Sequence, residues 1–445
     1  MRWGWVVRLV VWGEVLVRLG LAEEDGHSTE TQTRRRVAGK KPYWKAHPQW
    51  KKKGQGQALE PGAAVSATTH MPGPGSSAYH SKAPAAGSSE RAAVLNASFI
   101  QESRVIDEMT AHDASRYWTV VDWGNELWTF ARDGEWPHAA PGERVSLWVS
   151  SGALNEGLTG GTKYVVARGN TAHNFGAAMF TGEAETFLIA AGGEFRRGTW
   201  KGSLPGVSLM AGMNQGAVRS GSWKKLGLLK GTHPGCIEAR EAVAKSGCEF
   251  DGRISLVQFR GEVFMFTRAN ANREGGGRFV QFVTAKTMEG PWKPFQLIEV
   301  DGYPDFEHGN LYFGAFDVNP VDEGTMLGIF PVRTPADDCF IGLSLSCDGK
   351  HFAPFTPILR MSLAHGGRTS DHPVDGIVKR GSKVFLFIHR QVPGVIRTGP
   401  GDAGSRIVQH IISTDALTRY TVAQRKILER KGHCSSGAGG RGKES

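Results

Sequence analysis

The sequence predicts an all-β fold: a five-bladed β-propeller with four antiparallel strands per blade, behind a disordered N-terminal stem. Three observations predict it. A two-strand phrase recurs five times, the recurrences have blade-like spacing, and each phrase follows a short polar segment ending in an acid, an amide or a histidine. The phrases are His112-Asp113 into RYWTVVDWGNELWTFAR, His173-Asn174 into FGAAMFTGEAETFLIAA, Glu249-Phe250-Asp251 into GRISLVQFRGEVFMFTRAN, Glu307-His308-Gly309-Asn310 into LYFGAFDVNPVDEGTMLGIFPVR, and Asp371-His372-Pro373-Val374-Asp375 into GIVKRGSKVFLFIHR. Their second runs start at Glu126, Glu185, Glu262, Gly324 and Lys383, at spacings of 59, 77, 62 and 59 residues. That period suits four strands per repeat and not a solenoid of short repeats.

The elements follow in chain order. Residues 1–22, MRWGWVVRLVVWGEVLVRLGLA, fit a secretory signal or a short signal-anchor; an amphipathic transit segment or a misplaced start fits almost as well. Arg8, Glu14 and Arg18 interrupt the run, which falls short of the roughly 18 uncharged residues of a spanning helix. Residues 23–94 are rich in Gly, Pro, Ser, Ala and Lys, cannot bury a core, and read as a flexible stem. The propeller is expected over 95–430. Its outer strands are RVSLWVSSG and TKYVVAR in the first blade and RFVQFVTAKT and WKPFQLIEV in the third. The fourth has CFIGLSLSCDGKHF and FTPILRM, and the fifth SRIVQHIISTD and LTRYTV. Residues 431–445 are expected as a disordered basic tail, and no long segment holds a helical apolar period.

The formal net charge is +10, but much of the excess lies in Arg34-Arg35-Arg36, Lys40-Lys41, Lys51-Lys52-Lys53 and the tail, outside the repeats. No aromatic and basic stripe of a nucleic-acid reader is present, so nucleic acid is not an expected partner. The five cysteines allow two disulfides, Cys236 with Cys248 and Cys339 with Cys347, in an oxidising compartment. Asn96-Ala97-Ser98 is an N-glycosylation triplet. A secreted or secretory-pathway monomer is the expectation, touching membrane only through an N-terminal anchor.

Inner strands of a propeller run parallel around the axis, so their starts converge on one mouth. Those starts carry Asp113, Asn174, Glu249 and Asp251, Asp305 and Glu307, and Asp371 and Asp375. Crowded carboxylates cannot all ionise: one holds a proton for a leaving group while another stays charged to activate water. Glycoside cleavage needs that pairing. An Asp before a strand also closes turns by bonding its own backbone, and Asp251-Gly252 and Asp375-Gly376 are each consistent with that alone. The ends of the returning second strands carry Arg132, Glu194, Arg268 with Asn270, Arg333 and Arg390. Arginine forks suit carboxylate, sulfate or phosphate groups, or each neutralises a neighbouring rim acid.

The run CEFDGRISLVQFRGEVFMFTRAN, followed by GRFVQFVTAKTMEGPWKPFQLI, resembles a blade of the five-bladed glycoside hydrolases, the group of arabinanases, xylosidases and invertases. As architecture the resemblance spans residues 105 to 425. It implies a base Asp, a second Asp that tunes pKa and orients substrate, and a Glu acid. By position Asp251 matches the strand-opening Asp, Glu307 the acid, and Asp375 or Asp371 the tuning Asp. The sequence departs from the group in opening one blade with Asn174 and in placing Glu307 three residues before its strand.

The expected function is therefore glycoside hydrolysis on an acidic or sulfated sugar, with Asp251, Glu307, Asp375 and Asp371 catalytic. Asp113, Asn174, Glu249, Arg268, Arg390 and His372 are expected to bind substrate. A non-catalytic carbohydrate-binding or protein-interaction propeller is the alternative, and a phosphorylase is a further one among enzymes. His233, His308, His372 and His389 lack ligand spacing, so no catalytic metal and no cofactor is expected beyond a structural cation on the axis.

Overall fold

The computed structural model describes residues 99–435 apart from 110–115, 125, 134–143, 153, 155–156, 170–172, 183–184, 195–205, 240–246, 249, 251, 272–276, 304–309, 335–338, 362, 365–367, 370 and 393–404. The leader, the stem, Asn96 and residues 436–445 lie outside the described residues.

After β1 (Glu102–Met109) the chain forms successive antiparallel sheets. The first is β2 (Arg116–Trp123), β3 (Glu126–Asp133), β4 (Arg144–Ser150) and β5 (Thr162–Arg168). The second is β6 (His173–Thr181), β7 (Thr186–Glu194), β8 (Gly206–Gly212) and, after the short α1 (Gln215–Arg219), β9 (Lys224–Lys230). The third is β10 (Ser255–Phe259), β11 (Glu262–Asn270), β12 (Arg278–Ala285) and β13 (Gln296–Leu297). A fourth sheet joins β14 (Glu299–Val300), β15 (Asn310–Leu311), β16 (Ala315–Val318), β17 (Met326–Arg333), β18 (Cys339–Ser346), β19 (His351–Phe352) and β20 (Thr356–Arg360). A ribbon of β21 (Leu363–Ala364) and β22 (Arg368–Thr369) precedes the fifth, made of β23 (His372–Pro373), β24 (Val378–Arg380), β25 (Lys383–Arg390) and β26 (Ser405–Ser413) together with β1.

The molecule is thus a propeller whose unit is the four-stranded blade, with the repeated phrases supplying the first two strands of each unit. Five equal four-stranded blades are not what forms. Three sheets have four strands, one has seven and one five, because β14 pairs in parallel with β19 and because β1 joins the last sheet.

The second runs are apolar without alternation because both faces of the blade's middle are covered by neighbouring blades. In β11 every residue after Glu262 is buried, whereas the outermost β9 exposes most of its length. Between the third and fourth sheets Phe266 stacks on Phe316 at 3.7 Å between ring centroids, and Phe282, Phe330 and Phe352 fill the same wedge. Each such ring stabilises the fold by about 1.5–3 kcal/mol through burial.

Ring closure was not legible in the repeats. β1 pairs antiparallel with β26, from Glu102 opposite Ile411 to Met109 opposite Ser405. Arg104 donates to Gln409 Oε1 at 2.8 Å, and both side chains also donate to Leu154 O, so β1 straps the last sheet to the loop after β4. The Asp107 carboxylate accepts from Leu158 N at 2.6 Å in that loop.

The expected outer strand LTRYTV is instead helical, within α2 (Thr414–Arg430). Ser413 caps it by accepting from Ala416 N at 3.1 Å, and Ala416, Leu417, Tyr420 and Leu428 give it one buried face. A capping Ser and an apolar face at helical spacing outweighed the β-branched run, because β1 already holds the strand position beside β26. Thr421 bonds Asn319, Arg425 pairs with Asp322, and Phe99 packs on Tyr420. Residues 431–435 continue this element and are no loose tail, since Cys434 is bonded to Cys347. The other disulfide joins Cys236 to Cys248 as expected, and Cys339 lies outside both. No helix among the described residues is long and apolar enough to cross a membrane.

The Cys347–Cys434 bond closes an 87-residue separation and fastens α2 to the fourth sheet. Cys434→Ser is expected to lower unfolding free energy by about 2–4 kcal/mol in denaturant titrations, and reduction of the wild type, which also opens Cys236–Cys248, is expected to lower it at least as far.

Candidate functional site

The inner segments form a ring. β6 lies against β2 and β10, β10 lies against β16, Ile377 N donates to Asp317 Oδ2 at 2.8 Å, and Val120 N donates to Asp375 O at 2.7 Å to return to the first sheet. Backbones approach closely here: a Cβ at Gly176 would meet Ile254 O at 2.3 Å, and one at Gly376 would meet Val120 O at 2.0 Å. The ring encloses an axial cavity of about 260 Å³ lined by residues 120–122, 177–179, 256–258, 316–318 and 375–377, one stretch from each of the five large sheets.

Above the cavity Arg253 crosses the axis. It precedes β10 in the third sheet, yet its Nη2 donates to Thr119 Oγ1 of the first sheet at 2.8 Å and its Nε lies 3.9 Å from Asp375 Oδ2 of the fifth. The Phe313 ring of the fourth sheet stands 6.0 Å from its guanidinium carbon. Asp375 Oδ1 accepts from Ser255 Oγ at 2.7 Å and from Phe316 N at 3.2 Å. Arg253 and Asp375 are both buried. Burial pulls the Arg253 guanidinium down to about 10, with Asp375 and Tyr117 opposing. Burial likewise pushes Asp375 up to about 6 against the pull of Arg253, and pushes Asp317 up to about 7 with Asp375 adding to the rise. Asp317 keeps part of its surface on the axial cavity.

Around Arg253 stand aromatic rings from three sheets. His372 lies parallel to Tyr117 and is stacked on Tyr312, with ring centroids 5.8 and 5.5 Å apart, and meets Phe313 edge-on at 5.1 Å. The hydroxyls of Tyr117 and Tyr312 are 3.1 Å apart. Guanidiniums cover the rings: Arg132 over Tyr117 at 5.3 Å, and Arg268 and Arg278 over Tyr312 at 5.8 and 4.9 Å. Arg268 runs flat across Gly252, where a Cβ would stand 2.9 Å from its own Cβ. Tyr117 and Asn174 open β2 and β6 alike, each at a bulge with positive φ of 60° and 55°. That backbone suits Asn and strains Tyr.

Of the residues expected from sequence, the structure brings Asn174, Arg268, His372 and Asp375 to this region. Asn174 is buried and donates from Nδ2 to Phe250 O at 2.7 Å. Asp371 is buried and committed: its Oδ2 pairs with Arg390 Nε at 2.9 Å, and Oδ1 accepts from Gln391 N at 3.0 Å. Asp113, Glu249, Asp251 and Glu307 lie outside the described residues, as do Asp305 and His308. Trp118 and Trp128 are buried in the packing between sheets. The turn Ser346-Cys347-Asp348-Gly349 is built for structure, with Asp348 Oδ1 accepting from Lys350 N and His351 N at 2.9 and 2.8 Å.

Sequence reasoning missed Arg253, Asp317, Tyr117, Tyr312 and Phe313. A signal existed for Arg253, the one cation inside the third strand opening, but it follows Asp251-Gly252 and reads as the start of an exposed strand.

No protein family matches the sequence, and no curated protein does. Among solved structures the chain is similar to an α-L-arabinanase of Penicillium chrysogenum complexed with arabinobiose, at 12% identity over 71% of this chain and 99% of that one, with a TM-score of 0.41. It is similar also to a β-xylosidase, at 10% identity over 70% and 95% with a TM-score of 0.44. A third is an α-L-arabinofuranosidase of Podospora anserina complexed with cellotriose, at 8% identity over 71% and 97% with a TM-score of 0.44.

The raised axial acids bind protons more tightly in the folded chain than in the unfolded one, so their contribution to stability falls as pH rises from about 4 to about 7. His410, pulled down to about 4 by burial and Arg390, acts in the opposite sense over an overlapping window. The difference between wild type and Asp317→Asn isolates the axial pair. Thermal melts are expected to show the variant gaining on the wild type from pH 4 to 7 and the difference levelling above that.

Proposed function

We propose that the protein acts on carbohydrate as a glycoside hydrolase at the mouth of a five-bladed propeller, with the seven- and five-stranded sheets counted as the fourth and fifth blades. The count is supported by the axial cavity, which takes one stretch from each large sheet.

The observation that carries the functional reading is the convergence on Arg253. Openings of strands from the first, third, fourth and fifth sheets meet around this one side chain. In the sequence Asp251 precedes Arg253 by two residues, Asp113 precedes Tyr117 by four, and Glu307 precedes Tyr312 by five. In this reading Asp251 is base or nucleophile and Glu307 is the acid. Two carboxylates in unlike surroundings divide those roles, one protonated for the leaving group and one ionised. Asp375, with its carboxylate tied to Ser255, Phe316 N and Arg253, holds the floor and tunes its neighbours; Asp371 orients through Arg390. Glu249, Asp113, Asn174 and His372 bind sugar hydroxyls in this reading. An acidic or sulfated sugar is the proposed substrate class, with Arg268 at its acidic group. A cation on the axis is proposed at most as structural, below Asp375. Two disulfides support an oxidising, secretory compartment.

One observation favours a second reading, a sugar-binding propeller without catalysis: Asp371 and Asp375, two of the four expected catalytic acids, are buried against arginines. The full chain assayed for release of reducing sugar or aryl leaving group, over neutral and acidic glycosides, separates them. Turnover is expected, and Asp251→Asn and Glu307→Gln are each expected to lower it by about 10²–10⁴-fold. Glycan binding with no turnover on any member of the panel would establish the second reading.

A further inference from the structure

We propose that Ala92-Ala93-Val94-Leu95, at the junction of stem and domain, docks in the open groove along the outer side of α2. The site lies apart from the mouth and is independent of what the mouth binds.

The groove measures about 930 Å³, and every described residue that lines it belongs to α2. Its floor is aliphatic. Val422 leaves 48% of its surface exposed, Ala423 is exposed beside it, and Ile427 is half-buried. An amphipathic helix ordinarily gives its solvent side to charged and polar residues, so this floor is a surface in want of a cover. The rim is basic. Arg419, Lys426 and Arg430 line it, while its acid, Glu429, already pairs with Arg425 at 3.2 Å.

The chain brings a cover to this place. Phe99, where the described residues begin, is buried with its ring 5.5 Å from that of Tyr420 in α2. Two residues on, Gln101 N donates to Ile411 O and β1 follows. Tyr420, Ala423 and Ile427 are spaced three and four residues apart, so their side chains lie one above another along the helix. Phe99 thus sits on the first step of a stripe whose next two steps floor the groove. Leu95 is four residues upstream of Phe99, a span of up to about 14 Å. Ile427 is about 10 Å along the helix axis from Tyr420, which is within that reach.

The upstream residues also have the composition the floor requires. Ala92-Ala93-Val94-Leu95 is the longest aliphatic run between residues 23 and 98, in a stretch otherwise rich in Gly, Pro, Ser and Lys. Tethering favours this occupant over a free one. A segment held by so short a link is present at an effective concentration on the order of millimolar, which a second copy of the chain would have to exceed.

Alkylation of a single thiol in the full chain tests the proposal. Cys339→Ser removes the cysteine outside the disulfides, and Ala423→Cys places a thiol on the groove floor. Its reaction with a bulky maleimide is expected to quicken at least about tenfold when Val94→Ser and Leu95→Ser are added. Asp415→Cys, at an exposed position of α2 outside the groove, is expected to react at one rate with or without those two changes. Melting transitions check that each variant folds. Equal rates at Ala423→Cys with and without the serine changes would overturn the proposal. So would protection that grows with protein concentration, which assigns the groove to a second copy. Protection that appears only with phosphatidylserine vesicles, which the basic rim would attract, would overturn it as well. Should the serine variants fail to fold, a chain carrying both Leu95→Cys and Ala423→Cys decides. Oxidation is expected to join the two thiols, read as a linked peptide pair by mass spectrometry, and recovery of both unlinked would overturn the proposal.

Discussion

A guanidinium buried on the propeller axis is the constraint to which the surrounding structure conforms. Arg253 enters from the third sheet, bonds to the first, and faces an acid of the fifth and a ring of the fourth. Burying a full charge is costly unless it is paired and hydrogen-bonded, so the register of several inner segments is fixed at once. Asp375 can serve Arg253 only if Ser255 and Phe316 N hold its other oxygen. Gly376 must then pass within contact of Val120 O. The ionic contact is modest in itself. Its influence comes from drawing members from separate sheets, so that removing one member leaves an uncompensated charge rather than a missing contact.

The closure of the ring answers to that constraint from outside. A propeller whose first and last sheets part would open the axis to water and destroy the environment of Arg253. β1 prevents this by completing the last sheet while bonding, through Arg104 and Asp107, to the loop that follows the first sheet's third strand. α2 adds a second fastening, with Phe99 on its buried face and Cys434 bonded to Cys347. Chain ends and axis are therefore one mechanical problem: the hydrogen bonds of β1 keep the core dry, and a dry core strengthens every interaction on the axis.

How much of this was legible follows the range of the interactions. Strand phrases are local, so every second run appears where its apolar residues place it, from Glu126 to Lys383. The helix over 414–430 was not legible because LTRYTV is as good a strand as a helix locally; what decides is that β1, three hundred residues away, fills the position beside β26. Cys347 found Cys434 rather than Cys339 for the same reason, since the helix carries Cys434 back to the fourth sheet while β18 carries Cys339 to the far end of its own strand. At the site, Asn174, Arg268, His372 and Asp375 were visible as strand-end residues. Arg253 was not, because nothing within ten residues of it says that its side chain crosses the axis.

The charges that were visible also acquire different meanings once their partners are known. Sequence set a ring of acids against a ring of arginines, open to two readings: an acidic mouth for catalysis or a mutually neutralised rim. Asp371 with Arg390 is a case of neutralisation inside one sheet, an ion pair at 2.9 Å whose buried acid also accepts from Gln391 N. Asp375 with Arg253 is looser, at 3.9 Å and across two sheets, and Nε and Nη1 of the cation have no hydrogen-bond partner among the described residues. Field from a neutralised pair decays quickly, whereas an undercompensated buried cation acts on whatever enters beside it through a low dielectric. Arg132 lies over the face of Tyr117, and Arg268 and Arg278 over that of Tyr312, so these cations are held against aromatic faces rather than left free at the mouth.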